Sequence, residues 1–140
     1  MTAYYEDLEA LKHARVMISE YGLEVQDGFR LLSDEDLFEM VGRGGCGPGG
    51  IGDYFVPDTI LGISVYPACP PHDYDYTVGK TKEDKEQADL RLSRNLFRIV
   101  DIECPKALDP DKNKFATAMA QCYYLAVHKF GDDSFYRGKA

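Results

Sequence analysis

The sequence predicts an all-α, mostly helical protein, and three observations carry that prediction. Apolar residues recur at helical spacing in the first, central and last parts of the chain. Helix punctuation separates those stretches, at Gly22, Ser33, Gly79-Lys80-Thr81 and Gly131. Pro70 and Pro71 stand where a helix entry would tolerate them, since a proline in the first turn loses no needed N–H.

The elements follow in order. Residues 3–21 read as a helix, with Leu8, Leu11, Ala14 or Arg15, Ile18 and Tyr21 on one face and Gly22 as its stop. A short helix follows Ser33. Ser33 is a natural N-cap, and Asp34, Glu35 and Asp36 suit the positive end of the helix dipole. Leu37, Met40 and Val41 form its inner side. The glycine-rich segment 42–52 is neither regular helix nor central strand. Its glycines reach backbone angles closed to other residues and can turn carbonyls toward one point. In residues 53–67, Ile60, Leu61, Ile63, Val65 and Tyr66 form a short strand or a packed loop. A helix runs from about 70 to 80, and Thr81 caps the next, from about 82 to 101. The last helix covers about 111–130, with Phe115, Met119, Cys122, Tyr123, Ala126, Val127 and Phe130 as its apolar residues.

A chain of 140 residues is one domain by the usual length prior, so residues 1–140 are read as a single unit. With 44% hydrophobic and 29% charged residues, it has the composition of a globular protein. The net charge of −8 argues against a nucleic-acid partner, which needs clustered Lys and Arg. No apolar run approaches the ~20 residues of a membrane span. The acidic start, Met1 to Asp7, has no hydrophobic core and is no signal peptide. These features suggest a soluble protein. Four cysteines, Cys46, Cys69, Cys104 and Cys122, allow three pairings and do not settle the redox compartment.

The two central helices carry the chemistry. Antiparallel helices joined by a short turn align residues equidistant from that turn. His72 precedes the turn near residue 80 by about as much as Asp89 follows it. At ~1.5 Å rise per residue the two reach similar height. His72, Tyr76 and Gly79 share one face, and Asp89, Leu92, Leu96 and Ile99 share the facing stripe. Asp89 is thus a carboxylate on an apolar face and needs a partner. A histidine N–H supplies one, fixing tautomer and orientation, while the other ring nitrogen takes a proton as general base. Asp73, about 100° round the helix from His72, is left to face the glycine loop and a hard cation there. Tyr76 can donate a hydrogen bond to Asp89.

The motifs Cys46-Gly47-Pro48-Gly49-Gly50 and Cys69-Pro70-Pro71-His72-Asp73-Tyr74-Asp75-Tyr76 resemble those of the phospholipase A2 superfamily. The loop form is similar to the compact phospholipase domains of viral capsid proteins. The likeness covers about residues 42–100. It implies a calcium-dependent hydrolase of the sn-2 ester of glycerophospholipids, acting at a membrane or vesicle surface. It implies a fold with a calcium-binding glycine loop and two antiparallel helices bearing the active site. It maps His72 onto the catalytic base, Asp89 onto the remote aspartate and Tyr76 onto the tyrosine supporting that aspartate. Calcium falls to the carbonyls of Gly45, Gly47 and Gly49 and to the Asp73 carboxylate. Cys46 and Cys69 match a family disulfide, although the pair could also be reduced. The wider family disulfide framework is absent.

Other readings stand beside this one. A non-catalytic lipid-binding or structural module could keep the fold. A zinc site could use Cys46, Cys69, His72 and Cys104, but the second half lacks the usual spacing. Asp101 and Asp84 are the reserves for Asp89. Tyr123 and Tyr124 are read as core, and His13 and His128 as isolated surface groups. Oligomeric state and export route stay open, because a missing signal peptide and a disulfide point in opposite directions.

Overall fold

The structure is a computed structural model that describes residues 8–41, 59–136 and 139. The expected start of the first helix and the glycine segment 42–52 lie outside those residues. The described chain is mostly helical, with one two-stranded hairpin.

Helix α1, Leu8–Tyr21, buries Leu11, Ala14 and Ile18. Ala14 therefore takes the inward position, and Arg15 lies half-buried beside it. The Arg15 guanidinium donates to the Leu32 and Phe29 carbonyls and pairs with Asp34 at 2.9 Å. Gly22 ends the helix at φ 67°, the left-handed conformation that favours glycine. A short helix α2, Asp27–Leu31, buries Phe29 and was not legible from periodicity because it spans little more than one turn. Helix α3, Asp34–Val41, buries Leu37 and Val41. Ser33 caps it as expected, its hydroxyl accepting from the Asp36 N–H at 3.1 Å.

Strands β1, Thr59–Ile60, and β2, Ile63–Ser64, pair antiparallel. Between them Leu61 and Gly62 both have positive φ, 50° and 82°, the pattern of a two-residue hairpin turn. The open choice between strand and packed loop thus resolves as a minimal hairpin. A 3₁₀ turn, Tyr66–Ala68, leads into helix α4, Cys69–Val78, with Pro70 and Pro71 in its first turn.

Helix α4 is buried on every side from Cys69 to Tyr76. Helix α5, Lys82–Glu103, runs back along it. Its start is a capping box. The Thr81 hydroxyl accepts from the Asp84 N–H, and the Asp84 carboxylate accepts from the Thr81 and Lys80 N–H groups. The inward stripe Asp89, Leu92, Leu96 and Ile99 is buried throughout. Farther along, the buried Asn95 amide exchanges hydrogen bonds of 2.8 and 3.0 Å with the Glu24 backbone. Arg98 donates to the Tyr21 carbonyl at the end of α1. These bonds pin the α1–α2 connection to α5.

Helix α6, Pro110–Phe130, packs on the other side of α5, and a short α7, Asp132–Tyr136, follows it. Asp109 caps α6, and the Asn113 amide ties it to the Cys104 carbonyl and to Asp101. Of the apolar residues expected on α6, Val127 is buried and Met119 and Tyr123 pack half-buried against the core. The buried residues of the helix are Asn113, Ala116, Ala120 and Val127, while Phe115 and Phe130 are 68% and 53% exposed and Cys122 is exposed. Ala116 and Ala120 have no exposed surface, while Phe115 and Phe130 are turned outward.

Replacing Thr81 by alanine removes one half of the capping box. The expected outcome is a loss of about 1 kcal/mol in unfolding free energy. Urea denaturation of the two proteins measures it.

Candidate functional site

Eight consecutive buried residues on α4 include His72, Asp73 and Asp75. A helix crossing the interior with three such groups must find each a partner or a task, because unpaired buried polar groups are costly. The antiparallel return of α5 provides the first partner. Asp89 has no exposed surface and receives His72 Nε2 on Oδ1 at 2.9 Å. The Tyr76 hydroxyl donates to the same oxygen at 2.6 Å. Helix-pair register thus brings together the three residues that sequence reasoning assigned to one cluster. The reserve carboxylates are engaged elsewhere, Asp84 in the capping box and Asp101 with Asn113.

Burial alone pushes the Asp89 carboxyl up. The hydrogen bond and charge of His72 oppose it, followed by hydrogen bonds from Lys85 and Tyr76, and together they bring the pKa from 3.8 down to about 2. Asp89 is therefore ionised at neutral pH, and an ionised carboxylate only accepts. The proton of the His72–Asp89 hydrogen bond then belongs to Nε2. The other nitrogen, Nδ1, is buried and finds no hydrogen-bond partner among the described residues. In the neutral form of the ring, Nδ1 would present a lone pair, with the ring held from the opposite side.

Tyr76 is itself held. Its ring lies 4.2 Å from that of His72 and meets Phe135 edge-on at 5.2 Å. A Cβ at Gly131 would come 2.7 Å from its hydroxyl, so glycine at this position leaves room for the Tyr76–Asp89 bond. Lys139 donates to the Tyr76 and Gly79 carbonyls, where the C-terminal end of α4 favours a cation.

Three features escaped the sequence reading. Lys85 is buried, and its ammonium lies 2.8 Å from Asp89 Oδ2. A lysine one helical turn before a buried aspartate was the available signal. His128 is not an isolated surface group. Its ring is partly exposed, yet Nδ1 lies 3.4 Å from Asp89 Oδ2, and its carbonyl accepts from Lys85. Neither neighbour was foreseen, because the apolar residues of α6 did not single out one inward face. Finally, the buried Asp75 carboxylate takes Arg91 at 2.7 Å and Gln26 at 2.6 Å. This pairing joins α4, α5 and the segment before α2 one turn along from His72.

Asp73, adjacent to His72, is a buried carboxylate, the donor type that suits calcium. Gly45, Gly47 and Gly49, the other expected ligands, lie outside the described residues. Among the described residues no cluster of three or more His, Cys, Asp or Glu could hold a metal, so Cys69, His72 and Cys104 do not assemble the zinc alternative. Among the described residues Cys69, Cys104 and Cys122 form no disulfide, and Cys46, the expected partner of Cys69, lies outside them. Among the described residues, no helix is long and apolar enough to cross a membrane.

No family model matches the sequence, no curated protein matches it, and no solved structure matches the fold.

The depressed Asp89 pKa carries a stability consequence. A carboxyl lowered in the folded state stabilises fully above its unfolded value near 3.8, and that stabilisation is lost as pH falls through about 2. We expect about 2 kcal/mol to disappear between roughly pH 4.5 and pH 1.5. Urea unfolding across that range should show a smaller decline for Asp89→Asn than for the wild type.

Proposed function

We propose that this chain is a calcium-dependent hydrolase of phospholipase A2 type, cleaving the sn-2 ester of a glycerophospholipid. The observation that carries the reading is the state of His72. One ring nitrogen is bonded to a buried, ionised carboxylate, and the other is available within a buried site. That is the arrangement a general base needs. The reaction class thus rests on site geometry, whereas the substrate class rests on the motif likeness of residues 42–100.

In the proposed reaction His72 Nδ1 takes a proton from water as the water attacks the ester carbonyl. Asp89 holds the ring in the required tautomer and stabilises the positive charge that develops on it. Tyr76 keeps Oδ1 aimed at the ring. His72 later returns the proton to the departing alkoxide. Calcium, held by Asp73 and the carbonyls of Gly45, Gly47 and Gly49, would polarise the ester carbonyl and stabilise negative charge on its oxygen. The residues described for that role fit it, since Asp73 offers a hard oxygen donor beside the base.

A non-catalytic module of the same fold is the competing reading. The intact His72–Asp89–Tyr76 arrangement favours the enzyme over it. Purified protein should release fatty acid from mixed phospholipid vesicles with calcium and stop when a chelator is added. His72→Gln should lower release at least ~100-fold without changing the circular dichroism spectrum. Release that persists in chelator, or no release from any phospholipid, sinks the proposal.

A further inference from the structure

We propose that Lys85 is a positioning residue, selecting which oxygen of Asp89 faces the catalytic histidine. The inference rests on the hydrolase reading above and extends it to a residue outside the motif.

The geometry of the ammonium carries the argument. Lys85 is 4% exposed. A lysine is almost never buried so fully unless its charge is paired. Its Nζ has three acceptors in reach: Asp89 Oδ2 at 2.8 Å, the His128 carbonyl at 3.0 Å and Asp132 Oδ1 at 3.5 Å. It donates hydrogen bonds to the first two, and Asp132 stands at ion-pair distance. With its ammonium buried and turned to Asp89, Lys85 acts through that carboxylate.

The carboxylate is divided between two sets of partners. Oδ1 receives His72 and Tyr76, and Oδ2 receives Lys85 at 2.8 Å with the His128 ring farther off at 3.4 Å. An aspartate has broad freedom about its terminal torsion. Without the short Lys85 bond, only the long His128 contact among the described residues would hold Oδ2, and the group could swing and exchange oxygens. Lys85 cannot follow such a swing, because the end of α6 and the first residue of α7 hold its ammonium in place. The His72 ring is thus oriented by a carboxylate whose far oxygen is anchored to a different pair of helices. The same ammonium sets its charge against that of Asp89, so the ring is backed by an ion pair and not by a bare anion.

The experiment reads the ring directly as well as the reaction. Protein labelled with ¹⁵N-histidine gives imidazole spectra, with His72 assigned by its loss in His72→Gln. At one fixed pH, wild-type His72 should show a single tautomer with the proton on Nε2. Lys85→Met should lose that single tautomer, and kcat for fatty-acid release should fall at least ~10-fold while KM stays unchanged. If Lys85→Met does not fold, Lys85→Gln carries the same readouts, being neutral and one bond shorter. Lys85→Arg, which keeps charge and donors, should restore the tautomer and most of the rate. A folded Met or Gln variant with an unchanged His72 spectrum and rate overturns the proposal. So does a wild-type His72 without the Nε2 proton. Wild-type protein that releases no fatty acid defeats the hydrolase reading instead, and the spectra still judge Lys85.

Discussion

A carboxylate with no exposed surface cannot hold its charge in a protein interior unless other groups replace the water it has lost. Asp89 meets that demand with partners from several elements. His72 and Tyr76 come from α4, Lys85 from one turn back on α5, and the His128 ring from the end of α6. Lys85 then carries the connection to the His128 carbonyl and to Asp132. The pairing of the three central helices is thus tied to one charge. Removing a single charged partner from such a cluster typically costs about 3–5 kcal/mol, because the remaining charge stays buried and uncompensated. The same interaction that orients His72 therefore also holds the helices in register.

Helix α4 shows the tension between burial and polarity. A helix buried on all sides is ordinarily apolar all round, yet this one places His72, Asp73 and Asp75 inside. Each buried polar group has to be satisfied separately. Asp75 is satisfied by Arg91 and Gln26, and the backbone at the end of α4 by Lys139. The arrangement agrees with a general expectation: departures from local rules gather where a protein does chemistry. Around this helix the packing is ordinary. Leu92, Leu96 and Ile99 line the α5 side, and Ala116 and Ala120 are buried on α6.

Much of this was legible in the sequence because it depended on local chemistry. Ser33 and Thr81 announce helix starts by side chains that reach their own backbone. Gly22 announces a stop by its conformational freedom. The His72–Asp89 contact was legible for a different reason. Two regular helices and a short turn fix relative height by arithmetic, and an aspartate on an apolar stripe signals a missing partner. What escaped were features without a periodic signature. Helix α2 is too short to show one. Helix α6 carries apolar residues on more than one face, and the largest ones, Phe115 and Phe130, proved to be exposed.

By itself, then, the sequence determined the helical class, the caps, the α4–α5 hairpin and the meeting of His72, Tyr76 and Asp89. Each follows from interactions within a turn or across one short connection. Only the tertiary structure decided which face of α6 lies inward. That choice brings the His128 ring and carbonyl toward the site and places Asp132 within reach of Lys85. It also decided that Asp75 would pair with Arg91 and with Gln26 from a distant segment. The physical reason is that packing between elements is chosen by the fit of whole surfaces. In this chain Ala116, Ala120 and Val127 face inward on α6, and Phe115 and Phe130 do not.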